Sequence, residues 1–271
     1  MQRRETPQRE MQQREIQAAL HEARIAVRYQ PIVRLADRAV VALEALARLA
    51  HPVDGLVAAG RFVPQIELAG LSSQLTDQVA GSIFTDLAGA DPTLLDLVVG
   101  INIPLDLLLL PGTLDRLEAG RDAAGVAAER LVIELTESQP VEDAAALGRT
   151  LERVRRAGYG AVIDDVAPAM TWVAALLDLP FTGLKLDAGL VRASGQDPAF
   201  RGFVGDITTA ARQRGLIVTA EGVEDPAGWE RMCAAGANLA QGYMVGCAMT
   251  AGALPAWRAG WDHPVSRAAT C

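Results

Sequence analysis

Asp164 and Asp165 close the apolar run Tyr159-Gly160-Ala161-Val162-Ile163. An acid doublet where a buried strand emerges needs a positive partner, because like charges a few ångströms apart repel and a low local dielectric enlarges the repulsion. A bound cation answers that need. The other reading is a helix N-cap beside a solvated neighbour, since aspartate caps helices well. The remaining strand ends separate the two. Glu44 lies within a strand-like segment, Asn102 near the end of the next, and Glu134 closes Leu-Val-Ile-Glu. Lys185 and Asp187 close Leu-Lys-Leu-Asp, Glu221 closes Ile-Val-Thr-Ala-Glu, and Gln241 lies in the last segment. A single polar strand end is a solvated loop. An unbroken series of them, mostly carboxylates with one lysine and two amides, reads as a site.

Glutamate, aspartate and asparagine offer oxygen alone, and His21, His51 and His263 lie elsewhere, at expected surface or loop positions. An all-oxygen set suits Mg²⁺ or Mn²⁺ over Zn²⁺. Two adjacent aspartates, one of them bridging, suggest a two-metal site that activates water and stabilises the oxygens of a phosphoryl displacement. A lysine among the acids can orient that water or offset negative charge. The residues by themselves therefore suggest metal-dependent hydrolysis of a phosphate ester.

The elements that must hold these side chains alternate in type. Strands are expected at Ile25–Val33, Val40–Arg48, Leu97–Ile103, Leu131–Leu135, Tyr159 to the doublet, Gly183–Leu186, Ile217–Ala220 and near Asn238–Tyr243. Helical spacing falls at Arg61–Ala69, Ser72–Leu87, Leu105–Leu117, Val141–Ala157, Trp172–Leu177, Ala199–Arg214 and Ala227–Ala235. Gly158, Pro180, Gly215 and Gly236 punctuate the joins. This is the pattern of an α/β (β/α)8 TIM-like barrel. A doubly wound sheet fits less well, because no GxGxxG turn follows an early strand. Barrel sites form at the C-terminal strand ends, where these polar residues fall.

Composition narrows the partners. With 271 residues, half of them apolar, the chain can bury a single large core. The balance of 25 Lys+Arg against 33 Asp+Glu, net −8, argues against a nucleic-acid polymer but leaves room for a small phosphate ligand. Three widely spaced cysteines suit a reducing cytoplasm better than a disulfide framework. No apolar stretch approaches a membrane span, and the charged N-terminus lacks a signal-peptide centre. Residues 1–15 are expected to be a charged lead-in, 16–258 the barrel and 259–271 a tail.

The segment Tyr29–Pro52, YQPIVRLADRAVVALEALARLAHP, resembles the signature of the EAL-domain family, cyclic di-GMP phosphodiesterases named for Glu44-Ala45-Leu46. The likeness continues through RFVPQIELAGL, VGINI, LVIELTES, GYGAVIDD, LKLD, IVTAEGVED and QGY. It implies a barrel with an antiparallel first strand and cleavage of cyclic di-GMP to linear pGpG. By the same resemblance, Glu44, Asn102, Glu134 and Asp164 are ligands of a first metal. Asp164 bridges to a second ion held with Asp165 and Glu221, while Lys185 contacts the nucleophilic water and Glu221 is also the general base. Gln30, Arg48 and Gln241 resemble nucleotide contacts, arginine being suited to a phosphate or guanine edge. Glu137 matches the glutamate that steadies the loop after the doublet, its other reading being a helix N-terminal acid.

Departures concentrate after the doublet. The family's Phe-Gly-Thr-Gly-Tyr-Ser-Ser is here Val166-Ala167-Pro168-Ala169-Met170-Thr171-Trp172, without the glycines that can take positive φ and with a proline added. In the family this loop helps order the second metal and contributes to dimerisation. Val245 and Ala248 replace the Phe and Pro of QGYxFxxP, and Pro104 follows Asn102 closely. Two functions stay open: a cyclic di-GMP phosphodiesterase, or a silenced barrel serving as a cyclic di-GMP receptor or protein-interaction module. Regulation is expected through a homodimer, a regulatory protein partner, or a domain beyond these residues.

Overall fold

A computed structural model describes residues 15–89, 91, 94, 96–135 and 143–262. A helix over 15–21 (α1) leads into β1 (Ile25–Arg34) and β2 (Val40–His51), an antiparallel hairpin. β2 then pairs in parallel with β4 (Val98–Asn102). Parallel pairing continues through β5 (Leu131–Leu135), β6 (Gly160–Val166), β7 (Gly183–Leu186), β8 (Ile217–Ala220) and β9 (Leu239–Ala240). β9 returns to β1 in antiparallel register, Val33 opposite Ala240, and closes the barrel. The expected fold and its antiparallel first strand are both present. A short β3 (Gly55–Ala58) lies outside the ring, hairpinned onto the end of β2.

The sequence shows why the helices begin and end where they do. α6 (Ala144–Arg156) buries Leu147, Leu151 and Val154, one stripe at helical spacing, and Asp143 caps it by accepting the Ala146 N–H at 2.8 Å. α9 (Pro198–Gln213) and α10 (Pro226–Ala235) each start with an aspartate cap followed by proline. Gly236 ends α10 at φ 84°, a left-handed C-cap. The hairpin turn at the base of β1 and β2 is pinned by Arg38, whose guanidinium lies 5.1 Å from the Trp229 ring and 4.7 Å from Trp261.

Several elements depart from expectation. The helix expected over 105–117 is two, α4 (Leu105–Leu109) and α5 (Thr113–Ala123), because Pro111 cannot continue the first and Gly112 turns at φ 83°. The helix expected over 61–69 is a 3₁₀ turn, Ala59–Arg61, followed by α2 (Val63–Leu68), and α3 (Ser72–Ala88) comes next. β3, α8 (Ala188–Ala193) and α11 (Leu254–Asp262) are additional, while α7 is only Val173–Leu176. β6 does not stop at the doublet but runs on to Val166. Cys233 is free and exposed, and Cys247 is disulfide-bonded. Among the described residues no helix is long and apolar enough to cross a membrane.

Candidate active site

Apart from Asp187, the polar strand ends arrive at the same mouth. Glu44 lies on β2 opposite Gln30 of β1, and one strand further Asn102 ends β4 beside Glu134 of β5. Lys185 is on β7, and Glu221 and Gln241 follow β8 and β9 directly. Side chains alternate along a strand, so Asp164 and Asp165 should face opposite sides. A β-bulge prevents this. Ile163 pairs with Leu184 and Val166 with Leu186, which leaves one extra residue on β6. Asp165 takes up the slack at φ 52°, the left-handed region that aspartate tolerates better than most residues. Its N–H donates to Asp164 Oδ1 at 3.0 Å.

Lys185 stands at the centre, 2 % exposed. Its Nζ lies 3.3 Å from Glu44, 3.0 Å from Glu134, 3.1 Å from Asp164 and 2.7 Å from Glu221. Burial acts to lower a lysine, but the four carboxylates overrule it and hold Lys185 well above its ordinary range. Burial lifts Glu134 and Asp164, with Lys185 only partly offsetting it. Burial pushes Glu221 up to about 8, and burial with the Asp164 charge pushes Asp165 up to about 6. Glu44 ends lower than usual despite its burial, because Lys185 faces it, Gln241 donates to it at 2.5 Å and Asn102 at 3.2 Å.

One cation among this many acids leaves the site short of positive charge. Two sets of carboxylates, Glu44 with Glu134 and Asp164, and Asp164 with Asp165 and Glu221, each bring one oxygen per residue within 4.8 Å of one another. Asp164 belongs to both. All-oxygen donors, a shared aspartate and acids held up by burial fit hard divalent cations.

The cluster floors a cavity of about 720 Å³. Gln30, Glu44, Asn102, Asp164, Asp165, Glu221 and Gln241 all line it. Gln241 is buried, donates to Glu44 and to Gln30, and keeps an Oε1 without a hydrogen bond. Arg48 is not in the lining. Its guanidinium donates to the Ala47 carbonyl at 2.9 Å, and burial lowers it against the pull of the Glu44 charge. Glu137 lies outside the described residues. Asp187 serves as a cap, accepting the Leu190 N–H of α8 at 2.9 Å.

Two residues escaped sequence reasoning. A Cβ on Gly100 would collide with the Glu134 carboxylate, so this glycine makes room for a site residue. A glycine inside a strand was the available signal. Arg192, on α8, lines the cavity, but its helix was not foreseen.

The family profile described as EAL domain matches residues 13–248. The chain belongs to the EAL-domain family. Among curated relatives, the bifunctional diguanylate cyclase/cyclic di-GMP phosphodiesterase MucR of Pseudomonas aeruginosa is 29 % identical over 238 residues, covering 88 % of this chain and 35 % of that protein. The cyclic di-GMP phosphodiesterase PA2567 of the same organism is 30 % identical over 229 residues, 84 % of this chain and 39 % of that protein. The chain thus spans between 35 % and 39 % of these two relatives. In structure, the EAL fold of the PaMucR phosphodiesterase, solved as a c-di-GMP complex, superposes with a TM-score of 0.84 at 28 % identity, over 90 % of this chain and 99 % of that one. The EAL enzyme Bd1971 superposes at 0.87 and 24 % identity, over 93 % of this chain and 69 % of that one, which shows the fold.

Proposed function

We propose that this chain is a metal-dependent phosphodiesterase that hydrolyses cyclic di-GMP to linear pGpG, its catalytic unit lying within residues 16–258. The observation that supports this most is Lys185 Nζ held at 2.7–3.3 Å from four carboxylates of four different strands or strand ends. A lone structural lysine needs one partner. A buried lysine ringed by acids that line an open cavity is arranged for chemistry.

Glu44, Asn102, Glu134 and Asp164 would hold one Mg²⁺ or Mn²⁺, and Asp164, Asp165 and Glu221 a second. Ions bound there would acidify water and offset charge on the phosphoryl oxygens. Glu221 takes the proton of the attacking water, and Lys185 directs that water through its ammonium donors. Water's oxygen forms the new bond to phosphorus while one ribose–oxygen bond to phosphorus breaks. The proton ends on the released hydroxyl. Gln30, Gln241 and Arg48 position the nucleotide, and the unpartnered Gln241 Oε1 is suited to accept from a guanine N–H.

Purified protein incubated with cyclic di-GMP and Mg²⁺, Mn²⁺ or Ca²⁺ tests the reading. The expected result is pGpG with Mg²⁺ or Mn²⁺, little with Ca²⁺, whose loose coordination orients water poorly, and none from Glu44→Ala. The remodelled segment 166–172 favours a second reading, a receptor with a silenced barrel. Tight binding without turnover even in Mn²⁺ would establish that one.

A further inference from the structure

The described lining of the cavity carries six acids, Glu44, Glu67, Asp164, Asp165, Glu221 and Glu224, and a single cation, Arg192. Two metal ions would neutralise the acids at the floor. They would leave nothing positive at the far wall for a ligand bearing two phosphates, only one of which can occupy the reacting position.

We propose that Arg192 binds the phosphate of cyclic di-GMP that is not cleaved; the inference rests on the proposed function. Position is the first support. α8 follows β7, and β7 stands four strands from β2 around a ring of eight, so Arg192 enters the cavity lining from the wall opposite the strand that carries Glu44. Proximity is the second. Arg192 Nη1 comes within 3.3 Å of where a Gly222 Cβ would stand, next in sequence to Glu221. Gly222, at φ 61°, also seats directly against Ala188, which fixes the start of α8 to the loop carrying Glu221. The third is availability. The only ion pair of Arg192 among the described residues is to Glu224 at 3.5 Å, with side-chain exposures of 56 % and 46 %. That contact is long and solvated, and weak enough for a phosphate to displace. The guanidinium fork matches two phosphate oxygens at once.

Steady-state kinetics of Arg192→Ala and Arg192→Lys on cyclic di-GMP and on bis(p-nitrophenyl) phosphate, which carries one phosphodiester and no second phosphate, test the assignment. Arg192→Ala is expected to raise KM for cyclic di-GMP by about 10- to 100-fold with a much smaller fall in kcat. Its loss in kcat/KM should be about tenfold greater on the dinucleotide than on bis(p-nitrophenyl) phosphate. Arg192→Lys should recover part of the loss, and the salt dependence of KM should flatten in the alanine variant. An unchanged KM, or equal losses on both substrates, overturns the assignment while the phosphodiesterase reading stands. If the wild type binds but does not hydrolyse cyclic di-GMP, dissociation constants replace KM with the same expectations. Wild type that neither binds nor hydrolyses it overturns both.

Discussion

The N–H of Asp165 donates to the carboxylate of Asp164, its neighbour, at 3.0 Å, and the pair sits in a bulge with Asp165 at φ 52°. That local distortion turns two consecutive strand residues toward one cluster. Asparagine also tolerates the left-handed region, so Asp165→Asn should keep its melting temperature near wild type. It should weaken Mn²⁺ binding by at least about tenfold, measured by calorimetric titration. Asp165→Val forces a β-branched residue to positive φ and should cost about 1–3 kcal/mol in urea unfolding. Equal stability of the two variants would contradict the strained bulge.

Gly100 leaves the space that the Glu134 carboxylate fills. Gly100→Ala should destabilise by about 1–3 kcal/mol, since the strand is buried and the glutamate must move. Turnover should fall more than stability predicts, because the displaced group contacts Lys185 at 3.0 Å. An alanine variant with wild-type turnover would show that Glu134 moves without consequence.

Lys185 is the cation that lets four acids approach one another. Lys185→Met keeps the volume and removes the charge, leaving buried like charges uncompensated. Near neutral pH the metal-free variant should lose about 3–5 kcal/mol. As pH falls the deficit should shrink, because protonation of the acids that burial raises removes their repulsion. Urea titrations at neutral and at acidic pH measure the difference. A constant deficit would mean that the lysine acts through packing.

Glu221, held at about 8, and Asp165, at about 6, bind protons more tightly folded than unfolded. Their contribution is fully present below the ordinary carboxylate range and is lost as pH rises through those values. The metal-free protein should therefore lose stability between about pH 5 and pH 8, and Glu221→Gln should flatten part of that slope. Saturating Mg²⁺ should restore stability at the alkaline end by binding the folded state. A slope unaltered by both treatments would place its origin outside the cluster.

Much of the fold was legible because barrel strands and helices write their periods into the chain. The strand positions and the antiparallel opening strand were expected and are present, the last strand shortened to Leu239–Ala240. Boundaries slipped where one residue decides them: Pro111 and Gly112 split a helix, and Asp187, read as a polar strand end, is the cap of the unforeseen α8. The identity of the polar strand-end residues also came from sequence. Their convergence at one mouth follows from parallel strands in a closed ring.

The sequence by itself determined the inventory: oxygen donors, a lysine and amides at successive strand ends, and an unusual loop after the doublet. Only the tertiary structure decided which of them touch. Gln241 and Glu44 are 197 positions apart yet meet at 2.5 Å, because β9 closes against β1 and β1 against β2. The bulge at Asp165, the room made by Gly100 and the place of Arg192 in the cavity lining leave little trace in hydrophobic patterning. Periodicity encodes which face a residue occupies, whereas contacts depend on ring closure, register and a single extra residue in one strand.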